Sequence, residues 1–438
     1  MSLRSPRRLL VGATLAGASA LVLAGCSGGS SSDDGSEISI LIDNAETTVA
    51  TMEALVAAFE EAHPDIHVDI ETRPQGTEGD NIVKTRLSTG EMTDLFAYNT
   101  GSLLQALNPD QMLVDLGDEE WVSTLQDSFT PVVSTDEGFY GAPLGQTSSG
   151  AIFYNKTVYA ELGLEVPTTW DEFVANAEAV KAQAPDVAPI IQSYGETWTS
   201  QVLVLGDFAN VMAADPDWAD AYTANEAKYV DDPAFAGFRH LEELNAAGLF
   251  NEDYASTTYD EALAMLADGE GAHYPILSWA IQNIAANNPD AVDDIGLFAI
   301  PGESAADNAL TVWQPGAVYV PTSTEGARLE SAKTFLAWLT TPESCAVQVE
   351  ATGVPYGPFV IDGCELGDDV PSVVTDEVAY FDAGTVQNAL EFLSPIKGPS
   401  LEQITVAVGS GITPAAEGAQ QYDDDVTKQA QQLGIEGW

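Results

Sequence analysis

Basic residues are scarce in this chain of 438 residues. Fourteen lysines and arginines stand against 68 aspartates and glutamates, so the formal net charge is −54. A surface field of that sign repels nucleic acids and anionic lipid head groups and slows the capture of polyanions. The charge therefore argues against nucleic acid as a partner and favours a neutral or cationic ligand. The same acidity is also typical of exported proteins adapted for solubility, so it does not identify the ligand.

Groups that several kinds of catalysis need are also missing. The sequence has no Gly-Lys dipeptide, which excludes a phosphate-binding P-loop. Its one match to G-x-S-x-G, residues 25–29, lies in a Gly- and Ser-rich stretch without the strand and helix that a nucleophile elbow needs. Its four histidines, His63, His67, His240 and His273, are too few and too scattered for a nitrogen-rich metal site. We therefore predict no enzyme activity, no cofactor and no metal. The alternative is a cell-surface enzyme acting on polysaccharide, because two carboxylates suffice for glycoside hydrolysis.

The N-terminal residues resemble an export signal. Three arginines precede an apolar run over residues 9–23, which is too short for a comfortable membrane-spanning helix. Residues 23–26, Leu-Ala-Gly-Cys, match the processing box of bacterial lipoproteins. That resemblance implies a signal peptide over residues 1–25, cleavage before Cys26 and attachment of lipid, such as palmitate, to the Cys26 sulfur.

A short polar segment follows the processing box. Residues 27–37 are only Ser, Gly, Asp and Glu, a composition that buries little surface and is typical of flexible tethers. We therefore expect residues 26–37 to tether an exported protein to the outer face of the cell membrane, with the lipid on Cys26 as its membrane contact.

The chain has three cysteines. With Cys26 assigned to lipid, Cys345 and Cys364 remain, and both enter an oxidising compartment if the protein is exported. A disulfide between them is the expectation. Sequence alone does not show that their side chains come close enough, so two free thiols are the alternative.

The length and the hydrophobic pattern favour two α/β lobes. A chain of 438 residues exceeds one ordinary core. Alternating apolar residues predict strands at 38–42 and 66–70, with helical spacing between them, a second helix near 80–89 and a third strand at 94–98. This β-α-β-α-β order predicts a parallel sheet with crossover helices.

Polar residues follow two of these strands. Asp43 and Asn44 come after the first strand, and Asn99 and Thr100 come after the third. Ligands bind such sheets just outside the carboxyl ends of the strands, so these residues are expected along one rim of a ligand site. The alternative for Asn99 and Thr100 is a plain turn and helix cap.

Two longer segments resemble a known family. Residues 140–156 read YGAPLGQTSSGAIFYNK and residues 161–173 read ELGLEVPTTWDEF. Together with residues 269–279, 296–302 and 332–342, they resemble extracellular solute-binding protein family 1, the maltose-binding-like sugar receptors. The resemblance covers roughly residues 38–360.

The family resemblance implies a two-lobed periplasmic-binding-protein-like fold with several crossings and a ligand cleft. Residues 38–146 with 316–354 would form lobe one, and residues 147–312 with 355–438 would form lobe two. It also implies a monomer that delivers a small molecule to an ABC permease, with a separate ATPase. We expect a neutral sugar or oligosaccharide. The alternative is the same scaffold binding a peptide, polyamine or other non-sugar solute.

Candidate ligand residues follow from strand ends, from the family's crossings and from sugar chemistry. Sugar sites combine aromatic rings with a few amide and hydroxyl groups. A tryptophan in a loop is often a packed structural residue, and this is the alternative for Trp198, Trp279 and Trp313. Trp338, on an apolar helix face, is expected in the core. The expected ligand-binding residues are Asn44, Asn99, Thr100, Gln146, Thr147, Trp198, Trp279, Trp313, Gln314 and Tyr356.

Replacement of Cys26 tests the anchor. The Cys26→Ser change removes the lipid acceptor, so the processed Cys26→Ser protein should leave the membrane fraction for the soluble one, as measured by cell fractionation. Cys345→Ser keeps Cys26 and should stay with membranes. A processed Cys26→Ser protein that still sedimented with membranes would show that another feature anchors the chain.

Overall fold

The computed structural model describes residues 36–367, 370–435 and 437–438. The signal peptide, Cys26 and nearly all of the tether lie outside the described residues. Of the helices within those ranges, none combines the length and the apolar character needed to cross a membrane.

Strands and helices alternate through most of the described chain. The strands are β1 (Glu37–Asp43), β2 (His67–Arg73), β3 (Leu95–Tyr98), β4 (Gly141–Leu144), β5 (Ser148–Asn155), β6 (Ala188–Ile190), β7 (Gly271–Leu277), β8 (Ile295–Ala299), β9 (Leu310–Trp313), β10 (Gly316–Tyr319) and β11 (Val386–Asn388). The α-helices are α1 (Glu46–Ala62), α2 (Gly76–Thr89), α3 (Ser102–Gln105), α4 (Pro109–Met112), α5 (Lys156–Leu162), α6 (Trp170–Gln183), α7 (Val202–Leu205), α8 (Phe208–Ala214), α9 (Trp218–Thr223), α10 (Ala236–Ala246), α11 (Tyr259–Ala267), α12 (Ile281–Asn287), α13 (Gly326–Leu339), α14 (Pro342–Thr352), α15 (Ser372–Ala383), α16 (Leu401–Gly409) and α17 (Ala415–Leu433).

The first sheet has the strand order β2-β1-β3-β10-β4. β1 pairs in parallel with β2 and with β3, whereas β10 pairs antiparallel with β3 and with β4. α1 and α2 connect the parallel strands, which confirms the predicted β-α-β-α-β unit. The carboxyl ends of β1, β2 and β3 therefore lie at one edge of the sheet.

Apolar spacing explains the packing of this first lobe. Ile38, Ile40 and Ile42 are buried as their alternation predicts, and Leu41 between them is buried as well. The strand is thus covered on both faces, as is usual in parallel sheets. On α1, the ring of Phe59 packs against the aromatic residues of α13 in the same core.

The second sheet is centred on β5. It pairs antiparallel with β7 along one edge and with β8 and β9 along the other, in the order β11-β9-β5-β7-β6 with β8 added at β5. Successive side chains of β5 enter different cores: Ile152 packs in the cluster that contains Trp170, and Phe153 packs in the cluster that contains Tyr274. This second lobe is built as two layers on opposite faces of one sheet.

The helix after the family-like segment begins as predicted. Thr169 caps α6: its Oγ1 accepts from the backbone N–H of Glu172, and the Glu172 carboxylate accepts from the backbone N–H of Thr169. This reciprocal pair satisfies two donors at the helix start. It places Trp170, the first helical residue, in the core, where it is 4% exposed.

The chain crosses between the lobes at residues 145–147 and 314–315, between strands of the two sheets. A later return to lobe two was expected after residue 354. Phe359, Val360 and Ile361 instead pack in the first core. The physical reason is backbone pairing, because the Val360 carbonyl accepts from the N–H of Gln126 at 2.9 Å.

The structure joins Cys345 of α14 to Cys364, with Cα atoms 5.9 Å apart. The sequence separation is 19 residues. Both residues pack with the first core, so the link holds the segment after α14 to lobe one.

We predict that the exported protein contains this disulfide and loses stability when it is removed. Closing a loop of this length stabilises a fold by about 3 kcal/mol in the chain-entropy model. Mass spectrometry of unreduced tryptic peptides should find one cross-linked pair, and the Cys345→Ser/Cys364→Ser double variant should melt at a lower temperature. Complete alkylation of both thiols in the native, unreduced protein would contradict the prediction.

Candidate ligand-binding cleft

Polar groups at the ends of three parallel strands line a cavity of about 330 Å³. Asp43 and Arg73 end β1 and β2, and Asn99 follows β3. Gln282 of α12 adds a wall from lobe two, so this first cavity lies between the lobes. Its other lining residues are Thr47, Thr48, Thr51, Met52, Ala97, Tyr98, Leu144, Gly145, Gln146, Gly316, Ala317, Gln348, Thr352 and Tyr356.

Arg73 and Asp43 bring one charge of each sign to the first cavity. Arg73 is buried, its Nη1 donates to the Pro74 carbonyl at 3.2 Å, and its guanidinium carbon lies 5.6 Å from the centre of the Tyr98 ring. Asp43 Oδ1 accepts from the backbone N–H of Ala45 at 2.9 Å. Donors and acceptors of this kind suit a ligand that carries hydroxyl groups.

A second cavity of about 600 Å³ adjoins the first at Asn99 and Gly316, which line both. Lys397 and Glu391 stand in its wall as an ion pair, with Nζ 3.1 Å from Oε2. Lys84 and Glu402 add one further charge of each sign, so this wall too carries no formal net charge. The other lining residues are Thr100, Ser102, Leu103, Ala106, Gln201, Trp313, Gln314, Phe392, Pro395, Gly398, Pro399, Gln429 and Leu433.

Trp313 ends β9 and lines the second cavity. Its six-membered ring lies against the backbone of Gly150 on the neighbouring strand β5: a Cβ at position 150 would come within 2.7 Å of a ring carbon. A glycine is therefore needed for the ring to lie this close to the sheet. The indole is half-buried and packs on one side against β5, so its ring is fixed in a position where a ligand could stack on it.

Trp198 and Trp313 line a third cavity of about 120 Å³, which shares Gln201 with the second. Trp198 also stacks on Trp279, with ring centres 5.5 Å apart and planes inclined by 27°. Tyr259 packs against both indoles. The cleft thus carries two tryptophans at its walls, one of them supported by an aromatic cluster.

The crossing at residues 145–147 is hydrogen-bonded to the segment after α14 beside the first cavity. The Gln146 N–H donates to Tyr356 Oη and the Tyr356 N–H donates to Gln146 Oε1, both at 3.0 Å. The Thr147 N–H donates to the Pro358 carbonyl at 2.8 Å. Burial raises the pKa of Tyr356, so its hydroxyl stays protonated and can accept and donate at once.

The structure brings seven of the predicted ligand residues to the three cavities. They are Asn99, Thr100, Gln146, Trp198, Trp313, Gln314 and Tyr356.

The other three predicted residues lie elsewhere. Asn44 is exposed beside Asp43, Thr147 is fully buried in a crossing, and Trp279 stacks on Trp198 outside the lining of the cavities described above. Their part in ligand binding stays a prediction.

Sequence reasoning missed several lining residues. Arg73 was recoverable, because it ends the second parallel strand just as Asp43 ends the first. Glu391 and Lys397 were not, since they belong to the last eighty residues, where no pattern pointed to the cleft. Their place depends on how that segment folds back along both lobes.

The two buried histidines are structural. His240 stacks on the Trp170 ring at 3.6 Å, and burial lowers its pKa to about 3. His273 contacts the Tyr159 hydroxyl at 2.6 Å, and burial lowers its pKa to about 4. Within the described ranges, no group of three His, Cys, Asp or Glu residues is arranged to hold a metal ion.

Known proteins of similar sequence cover most of the chain. It is 26% identical to the multiple sugar-binding protein of Streptococcus mutans over 338 residues, which is 76% of this chain and 77% of that protein. It is 25% identical to the melibiose/raffinose/stachyose-binding protein MelE of Bacillus subtilis over 350 residues, 77% of this chain and 78% of the relative.

Solved structures share the fold. A chitin oligosaccharide binding protein superposes with a TM-score of 0.75 at 20% identity, covering 91% of this chain and all of that one. The solute-binding protein RafE in complex with raffinose gives a TM-score of 0.71 at 20% identity, covering 89% and 99%. The family model described as bacterial extracellular solute-binding protein matches residues 44–344. The chain therefore belongs to the bacterial extracellular solute-binding protein family.

Proposed function

We propose that this protein captures a neutral mono- or oligosaccharide in the cleft and delivers it to the permease of an ABC importer, whose ATPase is a separate chain. The observation that carries the proposal is the position of Trp313, an indole held against Gly150 at the wall of a cavity that also holds hydroxyl, amide and charge-balanced groups. Sugars offer apolar C–H faces to such rings and hydroxyl groups to such polar side chains.

The relatives support the same ligand class. The two sequence relatives are described as a multiple sugar-binding protein and a melibiose/raffinose/stachyose-binding protein. One similar structure is described as a chitin oligosaccharide binding protein and another contains raffinose. Their stated ligands range from disaccharides to longer oligosaccharides, so the ligand class is a better-founded proposal than any one sugar.

Hinge closure is the proposed mechanism. In this proposal lobe one comprises residues 36–146 and 316–366, and lobe two comprises residues 147–313 and 370–438. A ligand that touches Arg73 of lobe one and Gln282 of lobe two gains contacts only when the lobes approach, so it shifts the population toward a closed form that the permease can recognise. The step needs no covalent chemistry, and one chain supplies both walls, which fits a monomer.

The cellular setting completes the proposal. The protein is exported, cleaved before Cys26 and held at the outer face of the membrane by lipid on that cysteine. In this proposal residues 26–37 are the tether that connects the lipid to the lobes.

A ligand panel tests the proposed class. Purified protein lacking the lipid should melt at a higher temperature in the presence of one or more of melibiose, raffinose, stachyose and chitin oligosaccharides, because binding to the folded state stabilises it by mass action. At a hundredfold excess over Kd the gain is about 2.7 kcal/mol. Putrescine and a short peptide are the comparison ligands. A shift with either of these and with no sugar would contradict the sugar assignment, and turnover of a glycoside would favour the enzyme alternative.

Tryptophan replacements test the site. Trp313→Ala should weaken binding of the sugar identified in the panel by at least about tenfold, since it removes both stacking and apolar burial. Trp198→Ala should weaken it as well, and Trp279→Ala should act in the same direction through Trp198. Isothermal calorimetry measures each.

Trp338→Ala is the matched control, because Trp338 is a core residue packed against Phe59 with ring centres 5.7 Å apart. It should lower the melting temperature through a cavity while leaving the affinity unchanged. Parental affinity in all three cleft variants would contradict the site assignment.

A further inference from the structure

Glu377 is a buried carboxyl that the proposed ligand contacts do not use. It lies in the middle of α15 and is 0% exposed. Neither carboxyl oxygen has a well-formed hydrogen bond within the described residues. A carboxylate in such a place is far less favourable than a neutral carboxyl.

Three other chain segments converge on this carboxyl. The hydroxyls of Ser149, in β5, and Ser278, just after β7, lie close enough to favour its charged form, yet burial dominates and raises the pKa of Glu377 well above its usual range. The third segment follows α14 and contains Gly357, where a Cβ would lie 3.4 Å from Glu377 Oε1 and only 1.9 Å from the Thr147 carbonyl oxygen.

The hydroxyls around Glu377 are short of partners. Ser278 Oγ already accepts from the Ser149 N–H at 2.9 Å, so its own proton remains to be donated. Ser149 Oγ and Thr147 Oγ1 are buried and make no hydrogen bond among the described residues. A protonated carboxyl offers one donor and one acceptor, and these hydroxyls can use both.

These two serines directly precede the residues that hold the cleft tryptophans. Ser149 is followed by Gly150, against which the Trp313 ring lies. Ser278 is followed by Trp279, which stacks on Trp198. A group that fixes both serines therefore also fixes both cavity-lining indoles.

We propose that Glu377 is a positioning residue of the cleft, whose protonated carboxyl bonds the hydroxyls of Ser149 and Ser278 and so sets the places of Trp313 and Trp198. The consequence for ligand capture rests on the proposed function. The test uses the ligand-free protein, so a wrong ligand class would not affect its outcome.

The other titratable groups near Glu377 do not neutralise it. Tyr356, in the segment after α14, is neutral as well, because burial raises its pKa. On α15, Asp376 and Tyr380 face β8, where they accept from the backbone N–H groups of Leu297 and Ala299. β5 and β7 bring only the serine hydroxyls to the carboxyl.

The first test is the pH dependence of unfolding. A carboxyl that keeps its proton in the folded state stabilises the fold below its ordinary pKa and loses that contribution as pH rises toward the folded-state pKa. Glu377→Gln carries no such proton. The melting temperature of Glu377→Gln should therefore exceed that of the parent by about 2 °C or more at pH 8, and the difference should shrink toward pH 5.

The second test asks whether the side chain positions the indoles. Glu377→Gln keeps the shape and one donor, so acrylamide should quench its tryptophan emission as it does in the parent. Glu377→Ala removes the bonds and should be quenched more strongly. Asp382→Asn, at an exposed carboxyl on the same helix, is the matched control and should behave as the parent in both tests.

Infrared spectroscopy detects the protonated carboxyl in the parent protein itself, so this test does not depend on the folding of a variant. At pH 8 a buried protonated carboxyl gives a C=O stretching band that ionised carboxylates lack. Presence of that band supports the proposal. The proposal is overturned if the band is absent, if parent and Glu377→Gln melt with the same pH dependence, or if Glu377→Ala is quenched like the parent.

Discussion

The exchange of hydrogen bonds between Gln146 and Tyr356 is the constraint on which the arrangement of the lobes depends. Each residue donates its backbone N–H to the side chain of the other, so the first crossing is fixed to the segment after α14 by two reciprocal bonds. Gly357 allows that segment to lie against the Thr147 carbonyl, where any Cβ would collide. The first cavity lies beside this contact, and Glu377 lies against Gly357.

Charge is distributed unevenly between the cleft and the chain as a whole. The chain carries a formal −54, yet the first cavity has one acidic and one basic residue in its wall, Asp43 and Arg73, and the second has two of each. Three of the fourteen lysines and arginines, Arg73, Lys84 and Lys397, therefore line the cleft. Such a site neither attracts nor repels strongly by net charge, so selection there depends on hydrogen-bond geometry and ring contact, which suits neutral polyhydroxyl ligands better than ions.

Local periodicity predicted the first lobe well because its strands and helices are consecutive. The alternation at 38–42 and the helical spacing that follows are features of neighbouring residues, and the strand ends then follow from topology. The same logic found Asn99 and could have found Arg73. It could not find Lys397, whose place in the cleft is a long-range result of packing. Nor could it decide between Trp198 and Trp279, since both have loop-like surroundings and only their stacking shows which one lines a cavity.

Arg73 makes the strongest physical argument about the ligand. A buried guanidinium is costly unless its donors are satisfied, and in this acidic chain a carboxylate partner would be easy to supply. Within the described residues Arg73 instead donates only to the Pro74 carbonyl and lies near the Tyr98 ring, while its Nε is buried without a partner. A ligand in the first cavity, which Arg73 lines, can supply acceptors to this guanidinium. The adjacent Asp43 accepts from the Ala45 N–H at 2.9 Å and, over longer distances, from the Thr48 hydroxyl and the Gln75 amide. It also lines the first cavity, where its carboxylate can accept from a ligand. A hydroxyl group accepts and donates through one oxygen, and several on one ring can serve both residues at once. A cation would be repelled by Arg73, and a carboxylate would be repelled by Asp43. The two groups together therefore suit the neutral, hydroxyl-rich ligand that is proposed above.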